Sequence, residues 1–208
     1  MFGLTVWINC LENFGEHYPY QDFMHDRSIN EPMNEPDVTI RRGFLTPVAA
    51  TKLYGQLRDR LDWDLRMRAR KTACFGLSYD YSGVSYENKP MHELLVPLCD
   101  RLQETLGFRP NSCLINFYLD GRDKMGFHSD EIDNLEVGTK IIIISLGVER
   151  KLSFRSKADY EHRMTYLLPQ GSLLVMSQRT QEFWSHAIKR STVLDGRISL
   201  TFRRIAEP

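Results

Sequence analysis

Residues 139–156 read TKIIIISLGVERKLSFRS, two short runs in which apolar residues are continuous or alternate with polar ones. Successive side chains of a β-strand point to opposite faces, so short runs of this kind predict strands. Similar runs follow the same pattern at SCLINFYL (112–119), MTYLLP (164–169), GSLLVMS (171–177) and RISLTFRRI (197–205). Six short strands at this spacing, several of them separated by turn-prone residues, predict a sandwich, jelly roll or barrel.

Two segments before residue 110 have the pattern of helices. The first, FLTPVAATKLYGQLRDRLDWD (44–64), offers Thr46 as N-cap and Pro47 at the first helical position. The second, LLVPLCDRLQETLGF (94–108), is expected to hold Pro97 in its first turn and to end near Gly107. The apolar residues of the first helix that recur at helical spacing and are expected to pack inward are Val48, Leu53, Leu57 and Leu61. The sequence therefore predicts an α+β, mostly β fold whose helices pack on one sheet.

The 208 residues suit one domain with an N-terminal extension. Residues 16–40 are polar and punctuated by proline, so we expect residues 1–40 to form an irregular extension and residues 41–208 to form the domain. No stretch approaches the roughly 20 apolar residues needed to cross a membrane, and the first residues lack the basic segment of a signal peptide. The four cysteines are scattered, which favours a reducing cytoplasm and no disulfide framework.

The charge balance gives no global sign of a nucleic-acid partner, because 27 basic residues face 27 acidic ones. A local basic cluster lies in RDRLDWDLRMRARK (58–71). A solvated helix face and a track for phosphates explain this cluster equally well.

The segment MGFHSDEID (125–133) places His128 and Asp130 two residues apart, on the same side of a strand. A hydrogen-bonded pair is the simpler interpretation. The alternative is a shared metal ion, since two histidines and one carboxylate form the facial triad of non-haem Fe(II) oxygenases. His186, in EFWSHAIKR, is the candidate for the third ligand, because it lies at the edge of an apolar, strand-like segment distant in sequence from the pair.

Two arginines follow this third histidine in GRISLTFRR. Arg197 and Arg203 are six residues apart, so on a regular strand both face the same side. Either one alone is compatible with a surface position. Together they suit a ligand with two carboxylates such as 2-oxoglutarate, because arginine binds carboxylates through paired hydrogen bonds.

The ordered set N-x-Y, H-x-D, H and R-x₅-R resembles the AlkB family of Fe(II)/2-oxoglutarate dioxygenases, over roughly residues 68–205. The resemblance implies a double-stranded β-helix (jelly roll) that uses Fe(II), 2-oxoglutarate and O2. It implies that the iron ligands are His128, Asp130 and His186. It also implies that the residues contacting 2-oxoglutarate are Asn116, Tyr118, Arg197 and Arg203.

Upstream, RKTACFGLSYDYSG (70–83) is similar to the segment that precedes the base pocket in the repair demethylases of this family. Tyr79 and Tyr81 are then expected to line a pocket for a flipped base, and Phe75 to extend its wall. A cross-strand packing pair is an equally good interpretation of the two tyrosines. The family's repair members carry an acidic residue two positions after the metal aspartate, where this chain has Ile132. A shift of one residue would give the substrate contact to Glu131 or Asp133 beside it, and a different substrate is an equally good interpretation of Ile132.

Three functions are compatible with these residues. The first is the oxidative demethylation of N-alkylated nucleic-acid bases, with release of formaldehyde, succinate and CO2, by a cytoplasmic monomer that needs no membrane or obligate protein partner. The second is the 2-oxoglutarate-dependent hydroxylation of a small molecule or a protein side chain. The third, a catalytically inactive binding module, is the weakest, because all three ligands and both arginines are present.

Overall fold

A computed structural model describes residues 33–78 and 86–207. The strands of this part are β1 (Val38–Arg41), β2 (Lys71–Gly76), β3 (Ser112–Tyr118), β4 (Met125–His128), β5 (Lys140–Gly147), β6 (Arg150–Ser156), β7 (Arg163–Leu168), β8 (Leu173–Ser177), β9 (Trp184–Ile188) and β10 (Arg197–Arg203). Its helices are α1 (Pro47–Arg60), α2 (Val96–Leu106) and α3 (Gln178–Phe183).

The strands form two antiparallel sheets that face each other. The larger has the order β1-β8-β5-β10-β3-β2, and the smaller has the order β4-β9-β6-β7. Several neighbours are distant in sequence, as β10 lies between β3 and β5, whereas β6 and β7 are consecutive in the chain. The expected mostly β jelly roll is confirmed, and the six predicted runs are six of its described strands, β3, β5, β6, β7, β8 and β10.

Alternation along the strands divides the apolar side chains into two cores. On β10, Ile198, Leu200 and Phe202 face the helices and pack in a core between α1, α2 and the large sheet. The other face of the large sheet contributes residues such as Leu114 and Ile143 to a second core, shared with the small sheet. Two faces of one sheet are thus buried, which is why its strands are apolar on both sides.

The helix boundaries agree with the sequence predictions. The Thr46 hydroxyl accepts a hydrogen bond from the Ala49 amide, Pro47 begins α1, and Gly107 ends α2 with a φ of 78°. One expectation is wrong, because Val48 is 69% exposed while Leu57 is fully buried. Nine residues separate them, and at 100° per residue they lie on opposite sides of the helix.

Strand β1 begins at Val38, three residues before the expected start of the domain, because it pairs with β8 through Val38 and Met176. Residues 1–32 lie outside the described part, so the extension stays a prediction. The three described cysteines, Cys74, Cys99 and Cys113, are buried and form no disulfide bond with one another. Among the described residues no helix is both long and apolar enough to cross a membrane.

Candidate active site

Two histidines and an aspartate converge between the sheets. His128 ends β4 and pairs directly with His186 of the neighbouring strand β9, so both imidazoles point to the same face. Asp130 follows β4 by two residues. One ligand atom from each residue lies within 4.8 Å of the others, which is close enough for all three to bind one metal ion.

Asp130 is held in place by two hydrogen bonds. Nη2 of Arg203 donates to its Oδ2 at 2.7 Å, and its backbone amide donates to Oε1 of Gln181 at 2.9 Å. Burial by itself would raise the pKa of Asp130, but the charge of Arg203 and the two imidazoles outweigh burial and hold this pKa well below its usual range. Asp130 is therefore a carboxylate at neutral pH, with Oδ1 turned toward the histidines.

The histidines present their nitrogens in the form that a metal needs. Nδ1 of His128 lies 3.0 Å from the Gly126 carbonyl oxygen, which can only accept, so the proton is on Nδ1 and Nε2 faces the site. Burial, followed by the proximity of His128, lowers the pKa of His186 to about 3, so its imidazole is neutral. Two imidazoles and a carboxylate are a fitting set of ligands for Fe(II), and hydrogen bonds orient His128 and Asp130 within it.

A narrow cavity extends from the triad along β3 and β10. Asn116 and Tyr118 of β3 line it together with Arg197 and Arg203 of β10, as their even spacing predicts. Asp130 is the one acidic residue among its described lining residues, so two guanidinium groups face a single carboxylate. The cavity is therefore electropositive, which suits an anionic ligand.

Arg197 is a buried cation whose neighbours only partly satisfy it. Its Nη2 donates to the hydroxyls of Ser145 (2.9 Å) and Ser199 (3.4 Å), whereas Nε and Nη1 have no hydrogen-bond partner among the described residues. Burial lowers its pKa to about 10. A buried guanidinium that lacks a carboxylate is costly unless a ligand supplies one. Arg197 is thus suited to bind a carboxylate in the cavity.

The orientation of Asn116 depends on a residue that the sequence did not single out for the site. Nε of Arg70 donates to Oδ1 of Asn116 at 2.6 Å, and both side chains are buried. Arginine has donors only, so the amide oxygen must face it, and the amide NH2 is left for the cavity. The basic cluster at 58–71 therefore does not form a single helix face. The helix α1 ends at Arg60, and the side chain of Arg70 is buried in the interior.

Tyr118 is fully buried, and its hydroxyl donates to the sulfur of Met125 at 3.6 Å. The guanidinium of Arg197 lies 5.6 Å from its ring centre, and that of Arg150 lies 5.7 Å away. Burial raises the pKa of Tyr118, so it stays a neutral phenol. Arg150 also donates to the carbonyls of Asp120, Asp123 and Lys189, which fixes the loops at this end of the cavity.

The residues expected to contact the substrate are less well placed. Phe75 does not line the cavity: it faces the helix side of β2, packs on that core, and its ring lies 5.0 Å from His92. The reason is its pairing with Cys113, whose side chain also faces the helices. Tyr79 and Tyr81 lie outside the described residues, so their role stays a prediction. Ile132 packs against the core between the sheets, while Glu131 and Asp133 are exposed.

Gln181 and Arg70 are the supporting residues that sequence reasoning missed. Gln181 lies in α3 and bonds the Asp130 amide across 51 residues of sequence, and Arg70 bonds Asn116 across 46. For Arg70 the available signal was its place immediately before β2, within the segment similar to the family's pocket. No local pattern marked Gln181.

Comparison with known proteins gives three findings. The model of the 2OG-Fe(II) oxygenase superfamily matches residues 37–203. Bovine DNA oxidative demethylase ALKBH2 is 36% identical over 147 residues, which are 65% of this chain and 53% of that protein. Murine alpha-ketoglutarate-dependent dioxygenase alkB homolog 3 is 32% identical over 195 residues, 84% of this chain and 68% of that protein.

The solved structure of OsALKBH1 has the same fold, with a TM-score of 0.63 at 15% identity over 82% of this chain and 99% of that one. The matched regions thus span from about half to about two thirds of the length of the two curated relatives.

Proposed function

Because the chain belongs to the 2OG-Fe(II) oxygenase superfamily, and within it to the AlkB family, we propose that it demethylates N-alkylated nucleic-acid bases. Enzymes of this superfamily use Fe(II), 2-oxoglutarate and O2. When bound, these groups supply an oxidation that converts 2-oxoglutarate to succinate and CO2 and hydroxylates a C–H bond of the substrate. An N-methyl group hydroxylated in this way leaves as formaldehyde and restores the amine.

The observation that carries the proposal is the convergence of His128, Asp130 and His186 beside an electropositive cavity. We assign the three residues as iron ligands. The carboxylate balances part of the metal's charge and keeps its second oxygen on Arg203. This hydrogen bond fixes the direction of Oδ1 and prevents the carboxylate from rotating away when no metal is bound.

The cavity residues are assigned to 2-oxoglutarate. Arg197 binds the carboxylate distant from the metal, since its buried charge lacks a carboxylate partner in the described part of the chain. Asn116 donates its amide NH2 to the cosubstrate, Tyr118 turns its hydroxyl from Met125 to the cosubstrate, and Arg203 supports the end that chelates the metal. The protein's work is to bind, orient and shield these groups, so no side chain acts as a nucleophile.

The substrate class is supported by the relatives. The bovine relative is named a DNA oxidative demethylase. Tyr79 and Tyr81 are proposed to stack on the base, and Glu131 or Asp133 to contact its edge. Both acidic side chains are exposed beside the triad. They are proposed to turn toward the base when the substrate binds.

One observation favours a second candidate, the hydroxylation of a small molecule or a protein side chain. Ile132 occupies the position where the family's repair enzymes carry an acid, and it packs into the core between the sheets. An apolar side chain there offers no hydrogen bond to the edge of a base.

We also propose that the protein works as a monomer in the cytoplasm, with residues 1–40 as an extension of the domain. The three described cysteines are buried and form no disulfide with one another, which supports a reducing compartment. The superfamily match begins at residue 37, close to the proposed boundary.

The test measures succinate and formaldehyde with Fe(II) and 2-oxoglutarate in the presence of methylated DNA, methylated RNA or free amino acids. Demethylation predicts equal amounts of both products with a methylated nucleic acid and none with His186→Ala. Succinate that rises only with an amino acid or small molecule, without formaldehyde, would replace the first candidate by the second.

A further inference from the structure

The outer face of the small sheet carries a group of cations on a floor of small side chains. On β9 the inner residues include His186, and the outer residues Ser185 and Ala187 precede Lys189. On the adjacent strand β6, Lys151 and Arg155 share this outer face with Ser153. The register that pairs Leu152 with Ile188 places Lys151 opposite Lys189.

The described part of the chain does not neutralise these cations. Within the described residues Lys151, Arg155 and Lys189 form no ion pair. Elsewhere on the surface, by contrast, Arg58 and Arg122 each bind a nearby aspartate within 2.7 Å. Because the whole chain has a net charge of zero, an uncompensated group of three cations is a local excess that favours an anionic partner.

Arg155 is held in position by two aromatic rings. Its guanidinium carbon lies 4.2 Å from the ring centre of Phe127 and 4.6 Å from that of Tyr160. The ammonium of Lys189 lies 5.3 Å from the same Phe127 ring. Stacking restrains the guanidinium but uses none of its N–H donors, which suits an arginine that binds a phosphate.

This face adjoins the candidate active site around the edge of the sheet. Strand β4 is one of the two edge strands of the small sheet, and it presents Phe127 outward and His128 inward. The His128 side chain is 16% exposed, against 5% for His186 and 3% for Asp130, so the triad is most open on the β4 side. A long ligand that reaches the triad past β4 therefore meets the outer face as well.

We propose that Lys151, Arg155 and Lys189, with Phe127 as platform, bind backbone phosphates of the nucleic-acid strand that delivers its alkylated base to the cavity. The assignment rests on the proposed demethylase function. Lys151 and Arg155 are about 13 Å apart along β6 and Lys189 is about 5 Å from Lys151, so the group extends over several nucleotides of a strand.

The first test is the affinity of the full chain for a labelled single-stranded 20-mer, measured by fluorescence anisotropy without iron at several salt concentrations. Lys151→Gln/Lys189→Gln is expected to weaken binding about tenfold and to lower the slope of log K against log salt by about 1.4, since each lost phosphate contact removes about 0.7. Arg155→Gln is also expected to weaken binding and to lower this slope.

The matched control is Arg42→Gln/Lys52→Gln, which removes the same charge from exposed positions near α1, away from the small sheet. Its affinity for the 20-mer should lie within twofold of that of the unsubstituted chain. Equal losses in both double variants would overturn the proposal, because the effect would then be one of net charge. Unchanged binding in Lys151→Gln/Lys189→Gln would also overturn it, as would a loss of binding to phosphatidylserine vesicles with unchanged oligonucleotide affinity.

The second test separates this surface from the catalytic function. With an alkylated 20-mer the double variant should have a KM about tenfold higher at unchanged kcat, whereas an alkylated trinucleotide, too short to span the face, should keep its KM. Equal changes of KM for the 20-mer and the trinucleotide would refute the proposal that this surface binds phosphates. If neither substrate is demethylated while the salt slope still falls, the proposed function fails and the phosphate surface stands.

Discussion

Replacing Arg197 by methionine should separate cosubstrate binding from folding stability. Burial lowers the pKa of Arg197 from its ordinary value to about 10. One pKa unit corresponds to about 1.4 kcal/mol, so the charge costs the cosubstrate-free protein roughly 3 kcal/mol. The hydrogen bonds to Ser145 and Ser199 return about 1 kcal/mol each. The metal-free Arg197→Met variant is therefore expected to be more stable by about 1 kcal/mol.

Affinity for 2-oxoglutarate should change in the opposite direction. A carboxylate bound in a buried site without its guanidinium loses about 3–5 kcal/mol, which corresponds to at least a 100-fold weaker Kd. Calorimetric titration of 2-oxoglutarate into the Mn(II)-loaded protein measures this Kd, and urea unfolding of the metal-free protein measures the stability.

Arg150→Met is the control, because Arg150 donates three hydrogen bonds to loop carbonyls. It should lose about 3 kcal/mol of stability and keep its Kd for 2-oxoglutarate within about threefold. The reasoning is refuted if Arg197→Met loses more than about 2 kcal/mol of stability while its Kd stays unchanged.

His186→Ala should abolish both succinate formation and Mn(II) binding while the metal-free protein keeps its circular dichroism spectrum, and retained metal binding would contradict the ligand assignment. Arg70→Met should raise the KM for 2-oxoglutarate about tenfold at similar kcat, because Asn116 loses the donor that orients its amide; Arg66→Met, an exposed arginine paired with a nearby aspartate, should leave it unchanged. Cys99, whose pKa burial raises to about 11, should resist iodoacetamide at pH 8 in the native protein, since only about a thousandth is thiolate; peptide mapping that finds it alkylated would show that the helix core opens.

Much of the fold follows from periodicities that are visible in the sequence. The period of two along β3 and β10 places Asn116 beside Tyr118 and Arg197 on the same side as Arg203. The helix ends are equally local, because Thr46 caps α1 through its own hydroxyl and Gly107 supplies a left-handed turn. Such features need no knowledge of distant residues, and they were predicted correctly.

Periodicity tells which residues share a face and leaves open what covers that face. Phe75 was expected in the substrate wall, and its pairing with Cys113 turns it toward the helices instead. Val48 has the spacing of a core residue and still points to solvent. The helix α1 packs on the sheet with the side that carries Leu57, and Val48 lies on the opposite side. The choice between two faces depends on the neighbouring layer, which belongs to another part of the chain.

The sequence by itself determined the alternating strands, the helix ends and the residue types able to hold a metal and an anion. The tertiary structure alone decided that His128 lies directly opposite His186, that Arg203 binds Asp130 across 73 residues, and that Arg70 holds Asn116. The physical reason is that side-chain direction along a strand is a local property of the backbone. The partner of a buried charge is set by strand order, here by β10 lying between β3 and β5.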